Sequence, residues 1–195
     1  MVGGVDPVDL YIAALNSHDG TSAFRLLVTP VRVVCANTQR AALANHRESY
    51  TIRHTRNADK AIQQAREGLR LSFDYADAFS AEAERMIQAT MTDGQFMDIM
   101  NREFGPTDDM SSRAAANAER VVGDLLGIWH SSTQTEIIGT RWAAYQTVTE
   151  YIDHMIGVRG PKGADENLVR AERVITDPGL SNIKTMAFNL LRVPA

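Results

Sequence analysis

The sequence predicts an α+β fold that is mostly α-helical, in which a small antiparallel β element near the N-terminus packs on a helical bundle. Residues 23–35 are rich in Val, Leu and Phe, as β-strands are. Residues 49–55 alternate in a way that is typical of a second strand. Beyond residue 57, apolar side chains recur at helical spacing almost throughout, which predicts a bundle of helices.

The N-terminal segment 5–16 is predicted to form a short helix. Pro7 lies near its start, where the first turn of a helix accepts proline, and Leu10, Ala14 and Leu15 share a face. The Asp-Gly pair that follows is a strong turn signal and ends the helix.

The β element is predicted to cover residues 22–56. Pro30 interrupts its first apolar run, so we expect an edge position, a bulge or a break there. Asn37 or Thr38 is expected to cap an inserted helix over residues 38–45, because a short polar side chain accepts hydrogen bonds from the free N–H groups of a helix start.

The rest of the chain is predicted to be helical. Thr92 and Asp93 mark the start of one helix, and Gly105 followed by Pro106 marks its end. The segment 157–166 contains three glycines and a proline, which predicts a surface loop. The predicted helices cover residues 58–91, 93–104, 112–130, 140–156, 166–176 and 181–192.

Length and composition indicate a single domain, residues 1–195, made of the β element (22–56) and a helical part (57–195). No apolar run approaches the ~20 residues that cross a bilayer, and the N-terminus lacks the pattern of a secretory signal. The single cysteine excludes an intrachain disulfide and a cysteine-based zinc cluster. We therefore expect a cytoplasmic protein with no membrane partner.

Charge is distributed unevenly along the chain. The net charge is −4, which argues against a general nucleic-acid coat protein. However, the segment from Arg25 to Arg70 holds nine basic and three acidic residues and nets +6, whereas residues 73–195 hold eleven basic and eighteen acidic residues and net −7. Either the basic segment binds an anionic partner, or it docks on the acidic part of the same fold.

Three segments carry a resemblance to a known family: PVRVVCANTQRAAL (30–43), TIRHT (51–55) and GTRWAAYQTVTEYIDH (139–154). Over most of residues 8–156 the chain resembles the phage/plasmid-like protein family, a domain of unknown function spread by phages, prophages and plasmids. The resemblance implies a mobile-element origin, with the host bacterial cytoplasm as location, and no chemistry. Its motif residues are Cys35, Asn37, Thr38, Trp142, Glu150, Tyr151, Asp153 and His154.

The family resemblance also implies a difference in length. Its members carry a long region before the Arg-Val-Val-Cys strand, and this chain is expected to lack it. A shortened β element would leave an exposed sheet edge that invites pairing with a second copy, so a homo-oligomer is one expectation.

The basic residues of the β element are the main candidates for an anion site. Arg32 and Arg53 lie on two strands that are expected to pair, and Arg40 follows the first strand, where a phosphate could be held. His54 and Arg56 extend this set. The alternative is that Arg32 or Arg53 pairs with an acidic residue of the helical part.

Cys35 closes the apolar run, and its neighbours Val33 and Val34 imply burial of an inert thiol. An activated cysteine would need a histidine base, and His54 on the adjacent strand is the candidate. We interpret Cys35 as a core side chain at the end of a strand.

The stretch EYIDH places Glu150, Asp153 and His154 on one helical face. Such a face can bind a metal, or it can be a charge cluster at a helix end; because no further ligand is evident, no metal is predicted. Trp142 and Tyr145 could stack a base, or belong to the core.

The sequence contains no phosphate-binding loop, dinucleotide fingerprint, nucleophile elbow or two-histidine zinc helix. We therefore predict no catalytic residue and no cofactor, and favour a protein that is not an enzyme. One hypothesis is a non-catalytic accessory protein of a mobile element that binds single-stranded DNA. The alternative is a protein–protein interaction module that self-associates or binds a host protein.

Overall fold

The fold joins an N-terminal antiparallel sheet to a group of helices, which confirms the predicted α+β, mostly α-helical class. The computed structural model describes residues 1–15, 24–33, 37–38, 49–52 and 58–193. The strands are β1 Val8–Leu15, β2 Phe24–Arg32, β3 Asn37–Thr38 and β4 Ser49–Ile52. The helices are α1 Ala58–Gln88, α2 Asp93–Phe104, α3 Ser112–Trp129, α4 Arg141–Glu150, α5 Glu166–Thr176 and α6 Pro178–Leu191, with a 3₁₀ turn at Ser132–Gln134 and a π-helical turn at Tyr151–Met155.

The four-stranded sheet is organised around β2. On one side, β1 pairs with it from Val8 opposite Arg32 to Leu15 opposite Arg25. On the other side, β4 pairs with the first part of β2 and β3 with its last two residues. Pro30 lies between the part of β2 that pairs with β4 and the part that pairs with β3. No described strand therefore needs a hydrogen bond from the N–H that proline lacks, and β2 continues through Pro30.

The predicted helix over residues 5–16 is wrong, because Val8–Leu15 forms β1. Asp9 and Tyr11 are exposed, whereas Leu10 and Ile12 are partly buried. This alternation has the period of two that belongs to a strand, and pairing with β2 along its whole length satisfies the backbone. The β element therefore begins at Val8 rather than at residue 22.

The predicted capping role of Asn37 or Thr38 stays a prediction, because the helix that they would cap lies outside the described residues. These residues form β3, with Thr38 opposite Val31 and Asn37 opposite Arg32. Most of the predicted inserted helix, from residue 39 onward, lies outside the described residues. Strand β4 confirms the start of the predicted 49–55 strand; residues 53–55 also lie outside the described part.

The predicted helices are confirmed, with small differences at their ends. The side chain of Thr92 accepts a hydrogen bond from the N–H of Gln95 at 3.2 Å, and the Gln95 side chain accepts one from Thr92 at 2.9 Å, which forms a capping box before α2. Helix α6 begins three residues earlier than predicted. Asp177 caps it through Gly179 at 2.7 Å, and Pro178 occupies the first turn.

Helix α4 lies at the centre of the helical part. Every residue from Trp142 to Thr149 is buried, and α4 contacts α1, α3 and α6. Phe79 of α1 approaches Trp142, with ring centroids 6.0 Å apart, and Phe188 of α6 approaches Tyr145 at 5.4 Å. The aromatic core therefore surrounds α4, and polar residues on this helix must find partners inside the protein.

Candidate functional site

The main polar feature of the interior is a set of residues that we call the Asp6 network: Asp6, Arg32, Thr133, Gln134, Trp142 and Glu150. At its centre, Nε of Arg32 lies 2.7 and 2.8 Å from the two carboxylate oxygens of Asp6. Both residues are 1% exposed. Nε1 of Trp142 donates to the same carboxylate at 2.6 Å. Because a buried charge is costly unless it is paired and hydrogen-bonded, this arrangement is required once the charges are buried.

The N-terminal turn positions Asp6. Val2 and Asp6 exchange two backbone hydrogen bonds, of 2.7 and 3.0 Å. Gly3 and Gly4 turn the chain between them with φ of 57° and 74°, which side-chain-bearing residues rarely adopt. The turn therefore places the Asp6 carboxylate beside Arg32, at the C-terminal end of β2.

The network continues from the sheet to the 3₁₀ turn and α4. Nη2 of Arg32 donates to the backbone carbonyl of Thr133 at 2.8 Å. The Thr133 hydroxyl lies 2.9 Å from a carboxylate oxygen of Glu150, and Nε2 of Gln134 donates to that oxygen at 3.0 Å. No sequence signal predicts this turn, which carries the contacts between Arg32 and Glu150.

A second buried ion pair lies at the π-helical turn. Nζ of Lys184 in α6 donates to Oδ1 of Asp153, and the two side chains are 1% and 4% exposed. Asp153 thus faces α6, Glu150 bonds the 3₁₀ turn and His154 is exposed. The π-helical turn separates three side chains that a regular α-helix would place together. Within the described ranges, no group of three or more His, Cys, Asp or Glu residues could hold a metal ion.

Of the predicted anion-binding residues, the structure describes Arg32. It is buried, so it does not belong to a solvent-facing cationic surface. Its carboxylate partner Asp6 comes from the N-terminal turn, which corrects the alternative for Arg32, whereas the alternative for Arg53 stays a prediction. Five other candidates lie outside the described residues, and their roles stay predictions: Cys35, Arg40, Arg53, His54 and Arg56.

The structure decides between the two alternatives for Trp142 and Tyr145. Trp142 and Tyr145 are both 0% exposed, so they belong to the core and cannot stack a base. Tyr11 of β1, in contrast, is 54% exposed. It lies opposite Thr29 of β2, on the face of the sheet that points away from the core. Its alternation with Leu10 and Ile12 was the signal in the sequence that could have identified it.

Comparisons with known proteins give a family and no activity. No helix in the described part of the chain is both long enough and apolar enough to span a membrane. Neither the curated proteins nor the solved structures contain a match. A family model described as "Domain of unknown function (DUF932)" matches residues 1–175. This span includes the sheet, the Asp6 network and Asp153, and the chain therefore belongs to the DUF932 family, a domain of unknown function.

Proposed function

We propose that this protein is a non-catalytic accessory protein of a phage or plasmid, which binds single-stranded DNA in the host bacterial cytoplasm. The proposed binding surface is the outer face of the sheet, defined here by Asp9 and Tyr11 of β1 and Thr29 of β2. The observation that carries the proposal is the exposed ring of Tyr11, at 54% exposure, on this face.

The two faces of the sheet have different surroundings. On the inner face, Val28 is 0% exposed and Leu10 packs against the core. On the outer face, Asp9 and Tyr11 are exposed and Thr29 is half-buried. An exposed aromatic ring on the face of an antiparallel sheet is a platform on which an unpaired base can stack, and stacking tolerates any base sequence.

Cations for the DNA backbone come from the basic segment between Arg25 and Arg70. Without Arg32, which Asp6 neutralises, this segment has eight basic and three acidic residues and still nets +5. Arg25 lies within β2, in register with Leu15 and Thr51. Lys60 and Arg66 are exposed on α1. Neutralising phosphates is the main source of affinity for nucleic acid, so the segment favours an anionic polymer as partner.

The buried charges favour a binding role over catalysis. The carboxylates of Asp6 and Asp153 are each engaged by a buried cation, Arg32 and Lys184 respectively. A general acid or base must reach the proton that it transfers, and these groups have little contact with solvent. We therefore assign them to the stability of the fold.

The test is fluorescence anisotropy with a labelled oligothymidylate at low and physiological salt. We expect the logarithm of the binding constant to fall linearly with that of the salt concentration. Tyr11→Ala should weaken binding about 5- to 100-fold, the range for loss of one stacked base. Phe73→Ala is the matched control, because Phe73 is also exposed (60%) but lies on α1. Salt-independent binding, or an unchanged affinity in folded Tyr11→Ala, would contradict the proposal.

A second candidate function is self-association through β1. This strand has eight residues and, among the described strands, pairs only with β2. Its other edge offers backbone groups to which a second copy could add a strand. Light scattering after size exclusion, over a wide range of protein concentration, tests this function. A dimer or higher oligomer would support it, and a monomer at every concentration would contradict it.

A further inference from the structure

A cavity of about 350 Å³ lies between α2, α3, the π-helical turn and α6, away from the sheet. Its wall is mostly apolar and includes Leu125, Val148 and Ile152, which are at most 1% exposed. Arg120 also lines it and, at 56% exposure, stands on its solvent side. The volume is at the lower end of the range for small-molecule sites.

The π-helical turn forms one wall of this cavity. The N–H of Ile156 donates to the carbonyl of Tyr151 at 2.9 Å, which is the five-residue spacing of a π-helix. Tyr151, Ile152 and Ile156 line the cavity, while Asp153, within the same turn, bonds Lys184 of α6. The buried ion pair thus fixes the backbone that supports the wall. Turns of this kind are frequent at functional sites.

Tyr151 is a polar residue in the cavity wall. The residue is 7% exposed, and none of the described residues forms a hydrogen bond with its hydroxyl. A tyrosine hydroxyl both donates and accepts hydrogen bonds, so it is suited to bond a polar ligand group.

Arg120 is the cationic residue of the cavity wall. It bonds Asp124 at 2.6 Å and Asn117 at 3.1 Å through its two Nη atoms. A guanidinium has five N–H donors, so these bonds leave it further donors for an anion. The residues that line the cavity include this cation and no carboxylate.

We propose that this cavity binds a small amphipathic carboxylate. Its apolar chain lies against Leu125, Val148 and Ile152, and its carboxylate accepts hydrogen bonds from the Tyr151 hydroxyl and from Arg120. This site is independent of the proposed DNA-binding face, because it shares no residue with it.

Octanoate is the probe, and octanol is its neutral counterpart. We expect octanoate to bind, with amide chemical-shift changes in NMR concentrated at Leu125, Val148 and Ile152. Tyr151→Phe should weaken binding about 3- to 10-fold, since it removes one hydrogen bond and keeps the ring. Octanol should bind at least about tenfold more weakly, because bonds to an ionised acceptor are roughly twice as strong as neutral ones.

A second variant blocks the cavity. Gly157 lines it, and a Cβ at that position would meet no atom within 4 Å, so Gly157→Leu extends into open space. This variant should lose octanoate binding by about tenfold or more, as a filled pocket excludes its ligand. Gly123→Leu is the matched control, because Gly123 on α3 is equally open but does not line the cavity.

Three results would overturn the proposal. The first is a wild-type protein that does not bind octanoate, or shows shift changes only elsewhere. The second is equal binding of octanol and octanoate. The third is unchanged binding by Gly157→Leu with a native circular dichroism spectrum. The shift map of the wild-type protein decides the question even if Gly157→Leu does not fold.

Discussion

Arg32 of β2 and Trp142 of α4 donate hydrogen bonds to the same carboxylate, that of Asp6. The two residues belong to two of the segments that carry the family resemblance, 30–43 and 139–154. The N-terminal turn that supplies Asp6 therefore joins the sheet to the central helix. These two segments therefore meet at the buried carboxylate of Asp6, which needs a hydrogen-bond donor from each of them.

The first prediction concerns this carboxylate. Asp6→Asn keeps the shape of the side chain but removes the carboxylate charge that Nε of Arg32 contacts at 2.7 and 2.8 Å. Breaking a buried ion pair by removing one partner costs about 3–5 kcal/mol of unfolding free energy. Urea denaturation followed by tryptophan fluorescence measures the loss, since Trp142 bonds the same carboxylate.

The control for Asp6→Asn is Asp9→Asn, three residues along the chain. Asp9 is exposed on β1, and substitutions at such surface positions usually change stability by less than about 0.5 kcal/mol. A loss below about 1 kcal/mol in Asp6→Asn would mean that the pair does not contribute as we argue.

The second prediction concerns the turn before Asp6. Gly3 has a φ of 57°, and a Cβ placed there would lie 2.8 Å from Cδ1 of Ile87. Gly3→Ala should therefore cost about 1–2 kcal/mol in thermal or urea unfolding. Gly123→Ala should instead stabilise the protein by about 0.5–1 kcal/mol, since Gly123 is in open space within α3 and alanine favours a helix. A Gly3→Ala variant as stable as wild type would contradict this account.

The helices were predictable because their signals are local. Thr92 and Gln95 cap α2 within one turn, and in the second half of α1 the buried residues recur at helical spacing: Tyr75, Phe79, Ala83 and Met86. The strand β1 was misread because Leu10, Ala14 and Leu15 also fit a helical face. The segment forms a strand because it pairs along its whole length with β2, which comes later in the chain.

The buried networks were not predictable because their partners are distant in sequence. Asp6 and Arg32 meet only after the N-terminal turn has closed, and Asp153 and Lys184 only after α6 has packed. Arginine on a strand is usually a surface residue, so the sequence offered Arg32 either an anion or an acidic residue of the helical part as partner, and not Asp6. The π-helical turn has no simple sequence signal, and it separates Asp153 from Glu150.

The third prediction concerns pH. The Arg70 guanidinium donates to the Glu67 carboxylate and holds the pKa of Glu67 below its ordinary value. Because the pKa of Glu67 is lower in the folded state, the contact stabilises the protein at pH values above the ordinary pKa of glutamate. This stabilisation is lost as the pH falls through the lowered pKa of the folded state. In an NMR titration, Arg70→Ala should raise the pKa of Glu67. Arg66→Ala removes a neighbouring charge but keeps the Arg70–Glu67 hydrogen bond, so it should raise the pKa of Glu67 less. Equal increases in the two variants would contradict a specific contact between Arg70 and Glu67.

The fourth prediction tests the ion pair that supports the π-helical turn. Lys184→Met removes the buried cation that donates to the Asp153 carboxylate, which should cost about 3–5 kcal/mol of unfolding free energy. Adding Asp153→Leu removes the remaining charge, so the double variant should regain most of this loss. Urea denaturation of both single variants, the double variant and wild type completes the cycle. Additive losses would show that Asp153 and Lys184 do not stabilise the fold as a pair, since a coupled pair gives a double variant more stable than Lys184→Met alone.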